Sequence, residues 1–362
     1  QEPGDLSFPS CHDEGYPETL FDLAKTVFSE NIVDAVGEFS HFALQRFPQH
    51  ERTGLIPDCI YGYYIPSTDD TITGDDGSMD TTTGSWFSAH RDEAIVVPFS
   101  VGLGLENTDA LLRWLDFDEE LVSTTQTCTE HSECPKGGCD VNSRSGPPRC
   151  LVHSQPELRM GGATPLGKSL FYAGEYFRTS VLIDGQACDD DGDCRSSGYA
   201  CDGGACRDPY AHCRDNFIVL FTDGEETLFT DKHAFFGPQA QAKRLAFGLH
   251  CEVDADCRGG ATCVVEGGLG SCEPPGGSSV DPPSVPGTGF DALTRPDGSG
   301  ISIRTTVVNV RSPGAVFGNP NALIAWWGGG ALVDVYSDDP ETMKAQLYDV
   351  MTPAFKCDPE EL

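Results

Sequence analysis

The sequence predicts an α/β protein in which a doubly wound, mostly parallel sheet carries three small disulfide-rich insertions. Three observations predict this fold class. The run Phe217–Phe221 is short and apolar on both faces, which is typical of a strand buried in a parallel sheet. Helical and strand-like patterns alternate along the chain, the order that gives such a sheet. Twelve cysteines fall into three similar groups, each too short to build a core of its own.

The helices are predicted from apolar residues at helical spacing and from start and stop signals. Pro238 suits a first helical turn and Gly248 a helix end. The glycine triplet Gly328–Gly330 ends the helix before it. Helices are predicted over 17–37, 108–117, 168–177, 238–247, 321–327 and 340–351.

The strands are predicted from short runs rich in β-branched and aromatic residues. The run 301–310 alternates and is β-branched, and 217–221 is apolar throughout. Strands are predicted over 41–47, 93–100, 217–221, 301–310 and 331–336. Because the 217–221 run is apolar on both faces, we expect it to lie centrally in the sheet.

Two oxygen-bearing side chains stand where an α/β sheet binds ligands. Asp223 follows the strand 217–221, so its carboxylate lies at the carboxyl end of that strand, the edge where such sheets bind ligands. Thr164 lies at the N-cap position of the next helix upstream, followed by Pro165 in the first turn. Hydroxyl and carboxylate oxygens are hard ligands that suit Mg²⁺, Ca²⁺ or Mn²⁺. In a purely structural reading, Thr164 only caps a helix and Asp223 only opens a turn.

At these residues the chain resembles the von Willebrand factor A (vWA) domain, a Rossmann-like fold. The resemblance rests on Gly-Ala-Thr-Pro-Leu-Gly before an apolar helix, and on an apolar strand that ends in Thr-Asp-Gly. It implies a metal-ion-dependent adhesion site in which Thr164 and Asp223 are ligands of Mg²⁺ or Ca²⁺. The Tyr176-Phe177 pair at the helix end and Cys213 before the strand are similar to the amino-terminal A-type domain of PilY-type type IV pilus tip adhesins. That resemblance implies an extracellular or cell-surface location, with a protein partner or pilus or filament subunits as partners.

The chain departs from this family at its beginning. An A domain needs a first apolar strand that ends in Asp-x-Ser-x-Ser, and here only Asp5 and Ser7 match part of that motif. These two residues and Glu225 are therefore secondary candidates for the metal site. Two explanations stay open: the chain begins after a missing first strand, or another chain donates that strand by β-augmentation.

The charge of the chain restricts its partners. Lys and Arg number 23 against 57 Asp and Glu, which gives a net charge of −34. Nucleic acid is therefore not expected as a partner, because phosphate contacts need a basic surface. An acidic surface favours solubility and divalent cations. No window of the sequence approaches a transmembrane span.

The cysteines form an internal repeat. In each of three groups the first two cysteines are separated by five residues, and an acidic residue precedes the second. Four cysteines allow three pairings, which stay open, and zinc is the less favoured alternative because no group has a CxxC pair. We predict disulfides, in an oxidising compartment, for all sixteen cysteines. They are Cys128, Cys134, Cys139 and Cys150 in repeat 1; Cys188, Cys194, Cys201 and Cys206 in repeat 2; Cys251, Cys257, Cys263 and Cys272 in repeat 3; and Cys11, Cys59, Cys213 and Cys357 outside them.

The repeats are predicted as insertions in one A-type domain that spans 1–362. Their expected boundaries are 125–150, 184–213 and 250–275, and a Pro/Gly linker covers 273–300. Surface loops accept such insertions because the entropy of loop closure rises slowly with length. We expect the first two repeats to lie near the metal edge of the sheet.

These patterns favour an extracellular adhesion module that binds a partner through a divalent cation. The alternative is a structural subunit of a surface filament that uses the same fold for assembly without metal. An enzyme is not expected, because the sequence contains no Gly-x-Ser-x-Gly elbow, no His-Glu-x-x-His and no Walker loop.

Overall fold

The structure is a computed structural model that describes part of the chain. The described residues are 25, 42–45, 50–53, 62–65, 95–99, 108–112, 114–115, 121–130, 133–134, 138–139, 146–153, 166–196, 198–211, 215–222, 237–265, 270–276, 293–311, 320–336, 342 and 345.

Between successive helices the described residues contain three or four strands, many of them in the cysteine repeats. The helices are α1 (Thr108–Leu112), α2 (Leu166–Tyr176), α3 (Pro238–Ala246) and α4 (Pro320–Trp327), and a π-helical turn (Phe177–Val181) extends α2. The strands are β1 (Leu44–Gln45), β2 (His50–Thr53), β3 (Gly62–Ile65), β4 (Ile95–Val97), β5 (Leu121–Thr127), β6 (Gly138–Cys139), β7 (Arg149–His153), β8 (Ala200–Asp202), β9 (Ala205–Arg207), β10 (Phe217–Thr222), β11 (His250–Cys251), β12 (Thr262–Val264), β13 (Gly270–Glu273), β14 (Arg304–Arg311) and β15 (Gly329–Tyr336).

The main sheet has three parallel strands in the order β10, β14, β15. The central strand is β14, whose residues Thr305 to Asn309 are all buried. The central position of the 217–221 run stays a prediction, because the described residues supply a neighbour for β10 on one side. Strand β10 has one described neighbour, and only Leu220 and Thr222 in it are buried. The strand and its parallel pairing were predicted correctly.

One hydrophobic core joins the parallel sheet to three helices. Leu166 and Leu170 of α2, Leu245 of α3 and Ile324 of α4 pack in the same cluster as Val307 of β14. Each of these side chains is almost completely buried. Burial on this scale contributes about 1.5–3 kcal/mol for each large aliphatic side chain.

Glycines let α4 run almost directly into β15. The N–H of Gly328 donates to the carbonyl of Ile324 at 2.8 Å, and Gly329 has a positive φ of 62°. A Cβ on Gly330 would lie 2.2 Å from the carbonyl oxygen of Thr305, so only glycine permits this approach of β15 to β14. The glycine triplet ends the helix as predicted, but the strand begins at Gly329, ahead of the predicted start at Ala331.

A second, antiparallel pair packs near α2. Strand β1 pairs with β4, with Leu44 opposite Val97. The side-chain amide of Gln45 donates to the carbonyl of Ser169 in α2 at 2.9 Å. Val97 also packs with Leu111 of α1. The pair therefore lies beside the first half of α2.

The predicted helices and strands agree with the described elements to within a few residues. The predicted helix 17–37 has one described residue, Lys25, and the predicted helix 340–351 has two, Thr342 and Ala345; all three are helical. The rest of both helices lies outside the described residues.

The cysteine repeats are disulfide-bonded, as predicted, and all three have the same pairing. In each repeat the first cysteine bonds the third and the second bonds the fourth. The sequence left three pairings open, and the structure has the same one in all three repeats. Zinc has no ligands here, because the sulfur atoms of these cysteines are in disulfides. The bonds are Cys128–Cys139, Cys134–Cys150, Cys188–Cys201, Cys194–Cys206, Cys251–Cys263 and Cys257–Cys272. Cys11, Cys59, Cys213 and Cys357 lie outside the described residues.

In each repeat the two disulfides join a tight turn, which contains the first two cysteines, to a β-hairpin, which contains the last two. The third and fourth cysteines face each other across the hairpin strands in every repeat, as Cys201 and Cys206 do in β8 and β9. The acidic residue before the second cysteine accepts backbone N–H groups from the start of the turn. These hydrogen bonds favour the ionised carboxylate and lower the pKa of Glu133, Asp193 and Asp256. The leading donor–acceptor pairs are Thr129 to Glu133 at 2.5 Å, Asp189 to Asp193 at 2.8 Å and Glu252 to Asp256 at 2.8 Å.

None of the helices in the described part of the chain has the length and apolar character needed to cross a bilayer. The six disulfides fit an oxidising, extracellular environment.

Candidate functional site at the carboxyl end of the parallel sheet

The residues predicted to bind metal flank two described elements. Thr164, Asp223, Asp5, Ser7 and Glu225 all lie outside the described residues. Helix α2 begins at Leu166, shortly after Thr164, and β10 ends at Thr222, immediately before Asp223. The described structure therefore shows the elements from which the two main candidates extend.

A row of polar side chains crosses the sheet at this end. Thr222 of β10 is the register partner of Asn309 in β14, and Asn309 is the partner of Asp334 in β15. Register partners in a parallel sheet point to the same face, so these three side chains lie side by side. We call Thr222, Asn309 and Asp334, together with Asn321 of α4, the carboxyl-end polar row.

Asn309 connects the row through both ends of its side-chain amide. Its nitrogen donates to Oδ1 of Asp334 at 3.1 Å, and its oxygen accepts from Nδ2 of Asn321 at 2.8 Å. Asn321 lies in the first turn of α4, which packs on β14 and β15. Helix α4 thus places the Asn321 amide where its hydrogen bond fixes the orientation of the Asn309 amide.

Three of the four side chains of the polar row are buried in an otherwise apolar part of the sheet, and the fourth, Asp334, is half-buried. Thr222 is 5% exposed, Asn309 3% and Asn321 5%. A buried amide or hydroxyl without a hydrogen bond costs about 1–3 kcal/mol, so such residues are tolerated only in a connected network. The row supplies hydroxyl, amide and carboxylate groups at the end of β10, which Asp223 follows in sequence, and its oxygen atoms are the ligand type that Mg²⁺ and Ca²⁺ prefer.

Sequence reasoning missed Asn309, Asn321 and Asp334. The signal was present: Asn309 interrupts the valine run of β14, and Asp334 interrupts the apolar run of β15. Each is a single polar residue near the carboxyl end of a strand. Only the pairing register, however, shows that they meet Thr222 in one row.

Repeat 2 lies at the opposite, amino end of β14. Asp184 accepts from the hydroxyl of Tyr199 at 2.7 Å and pairs with Arg295 at 3.1 Å. Arg207 forms an ion pair of 3.1 Å with Asp297, in the loop 293–300 that leads into β14. Burial and the hydrogen bond to Asp184 raise the pKa of Tyr199, which keeps its hydroxyl a donor.

Repeat 3 is also attached at the amino end. The N–H of Arg258 donates to the carbonyl of Phe247 at 2.8 Å, just after α3. Lys243 of α3 donates to Oγ of Ser271 at 2.7 Å and lies 4.0 Å from Oε1 of Glu273. Its ammonium group lies 4.6 Å from the centre of the Trp327 ring. Burial lowers the pKa of Lys243 to about 8, although the Glu273 carboxylate opposes that shift.

The expected position of repeat 2 near the metal edge was therefore wrong. The repeat connects the end of α2 to the start of β10, and helices that cross over a parallel sheet return to its amino end. From Arg304 to Asn309 the strand rises about 16 Å, at roughly 3.3 Å per residue. The carboxyl-end polar row is separated from the anchor of repeat 2 by about this distance along β14.

Comparison with known proteins finds no family model, no curated protein and no solved structure that matches this chain. The carboxyl-end polar row and the motifs that border it are therefore the basis for assigning a site.

Proposed function

We propose that this protein is an extracellular adhesion or interaction module that binds a protein partner through a divalent cation. The cation lies at the carboxyl end of a vWA-like, doubly wound sheet. The module works at the tip or surface of a type IV pilus-like fibre. Its chemistry is binding, and no catalytic step is assigned.

One observation carries this proposal: three neighbouring parallel strands each place a polar side chain at the same level of their carboxyl ends. Thr222, Asn309 and Asp334 form that row, and Asp223 follows Thr222 directly. This network lies at the edge where α/β sheets bind ligands, and apolar residues there would stabilise the sheet without the risk of unpaired polar groups.

The available groups fit a hard cation. Thr164 and Asp223 would hold the ion, with Asp5, Ser7 and Glu225 as further candidates. Hydroxyl and carboxylate oxygens suit Mg²⁺ or Ca²⁺. A bound cation supplies a positive charge that attracts a carboxylate of the partner. The chain's own contribution is to orient Asp334 through Asn309 and Asn321, so that the edge is fixed before the partner arrives.

Calorimetry on the oxidised protein tests the proposal. Mg²⁺ and Ca²⁺ are titrated into the wild type, into Asp223→Ala and into Asp189→Ala, which removes an exposed carboxylate from repeat 2. We expect micromolar binding that Asp223→Ala abolishes and Asp189→Ala leaves unchanged. Absence of binding in a folded wild type, or equal loss in both variants, would remove the metal site from this account.

A specific observation favours a second function, assembly into a surface filament without metal. Residues Phe217, Ile218 and Val219 of β10 are apolar and only half-buried, so part of this apolar surface stays accessible to another molecule. Partly exposed apolar surface of this kind is the type of surface that subunits use for contact. If calorimetry shows no metal binding but a concentration-dependent increase in mass appears in sedimentation, assembly is the better description.

A further inference from the structure

The large apolar side chains that are exposed in the described residues cluster on repeat 3. Val253 is 57% exposed, Val264 41% and Val265 55%. Val264 and Val265 are adjacent, and Oδ1 of Asp254 accepts the N–H of Cys263 at 2.7 Å, which brings the segment of Val253 beside them. We call Val253, Val264 and Val265 the valine patch.

The fold of the repeat does not require these valines. Repeat 2 has the same disulfide pairing as repeat 3, and its Asp191 accepts the N–H of Cys201 at 2.7 Å, as Asp254 does for Cys263. Counted from the cysteines, however, Val253 corresponds to Asp190 and Val264 to Asp202, and both aspartates are exposed. Repeat 1 likewise has Glu130 and Asp140 at these two positions. Repeat 3 thus replaces two solvent-facing acids by valine on an otherwise unchanged framework.

Such a replacement indicates selection for contact with another molecule. Exposed apolar patches with a polar rim mark interaction sites, and a small apolar centre within a polar rim is the usual anatomy of a binding hot spot. We propose that the valine patch is a docking surface for a protein segment with apolar side chains flanked by Lys or Arg. This inference is independent of the metal site, because repeat 3 is attached at the amino end of β14.

The charge around the valine patch identifies this occupant. Glu252 and Asp254 are exposed beside the valine patch, and the whole chain carries a net charge of −34. The nearby cation, Arg258, is turned toward the loop 293–300, since a Cβ on Gly300 would lie 1.6 Å from its Nε. A second copy of this chain would bring the same acids to the contact, and like charges oppose each other across an interface. A partner segment with basic residues around an apolar centre is complementary to the valine patch and its acidic surroundings.

The docking uses side chains rather than strand addition. Strand β12 pairs with β13 on one side, and on its other side the N–H of Cys263 is already bonded to Asp254. A partner strand would therefore find the Asp254 side chain at the position where it needs the free N–H of Cys263 for strand pairing. The valine side chains remain available for contact with apolar groups of the partner.

The test uses a displayed library of random peptides as the probe, selected on the full oxidised protein. The variant Val253→Asp/Val264→Asp installs the residues of repeat 2, so the framework should tolerate it. The control Thr125→Asp/Ala187→Asp adds the same two charges at exposed positions of repeats 1 and 2. Circular dichroism and intact mass confirm that each protein is folded and oxidised.

We expect the selected peptides to combine an apolar centre with Lys or Arg flanks. They should bind the valine variant at least tenfold more weakly than the wild type, and the control within twofold of it. Selected peptides without a basic bias, or with equal affinity for the valine variant, would overturn the proposal. So would valine-dependent binding to neutral phosphatidylcholine vesicles, or valine-dependent self-association in sedimentation, because either result assigns the patch to a different occupant.

Discussion

Lys243 makes the stability of this protein depend on pH in a direction opposite to that of most lysines. Its side chain is buried between α3, Trp327 and repeat 3, and burial lowers its pKa from 10.5 to about 8. In the unfolded chain the amine has its ordinary pKa, so between these two values the unfolded state binds more protons. Stability therefore rises as the pH rises through this window.

The size of the effect follows from the shift. The difference of 2.5 between the two pKa values, at 1.36 kcal/mol per unit, gives a full effect of about 3 kcal/mol. Integrated from pH 7 to pH 9.5, the expected gain in the free energy of unfolding is roughly 2 kcal/mol. The upper limit stays below pH 10 because the raised pKa values of Tyr176 and Tyr199 oppose the effect above it.

The assay is urea unfolding at several pH values from 7 to 9.5, on the oxidised wild type and on Lys243→Met. Methionine keeps the length of the side chain and does not titrate, so the gain of roughly 2 kcal/mol should disappear from the variant. Ser271→Ala is the matched control, because it removes the hydrogen bond to Nζ but keeps the lysine, and its pH dependence should persist. A wild type whose stability is flat over this range, or a variant with the same slope, would refute this interpretation of Lys243.

Three further predictions follow from individual contacts. Asn309→Leu leaves the amide of Asn321 and the carboxylate of Asp334 without their shared partner, and should lower the free energy of unfolding by about 3 kcal/mol in urea. The half-buried control Ala322→Ser should lower it by about 1 kcal/mol, and equal losses would mean that the row is not a connected network. Asp184→Ala removes the buried hydrogen-bond acceptor of Tyr199 and the ion-pair partner of Arg295, and should lower the free energy of unfolding by about 3–5 kcal/mol. The variant should also make repeat 2 susceptible to limited proteolysis. The control Asp189→Ala should change neither the free energy of unfolding nor the proteolysis. Asp256 has a lowered pKa, so the stability that it contributes is present above about pH 4 and is lost as the pH falls through the lowered value. The protection of the Glu252 and Val253 amides against hydrogen exchange, measured relative to the intrinsic rate at each pH, should therefore fall in acid, and Asp256→Asn should show low protection already at about pH 7.

Local patterns predicted the helices and strands well because each element carries its own signal. Pro238 and Gly248 bound α3, and the apolar run of β10 ends at Thr222 as the Thr-Asp-Gly motif indicates. The burial of each strand was harder to predict, because it depends on which other strands and helices pack against it, and the sequence of one strand does not contain that information. Strand β10 has a core-like sequence, yet β14 is the strand with described partners on both sides.

The carboxyl-end polar row and the position of repeat 2 depend on contacts that are distant in sequence. Asn309 meets Asp334 through pairing register, and Asn321 meets Asn309 through helix packing, so no local pattern links them. The disulfide pairing was open for the same reason, since spacing alone allows three pairings. The position of repeat 2 was, by contrast, predictable, because a helix that crosses over a parallel sheet, as α2 does, ends near the amino end of the strands.

Titration with Mn²⁺, observed by nuclear magnetic resonance, tests the central claim most directly. Mn²⁺ takes the same oxygen ligands as Mg²⁺, and it broadens the signals of nearby nuclei. A cation site at this edge predicts the strongest broadening at Thr222, Asn309, Asn321 and Asp334, and much weaker broadening in the hairpin of repeat 2 around Cys206, because the effect falls steeply with distance. Broadening centred on the acidic turn Asp189–Asp193, or uniform weak broadening across the protein, would contradict a cation site at the carboxyl end of the parallel sheet.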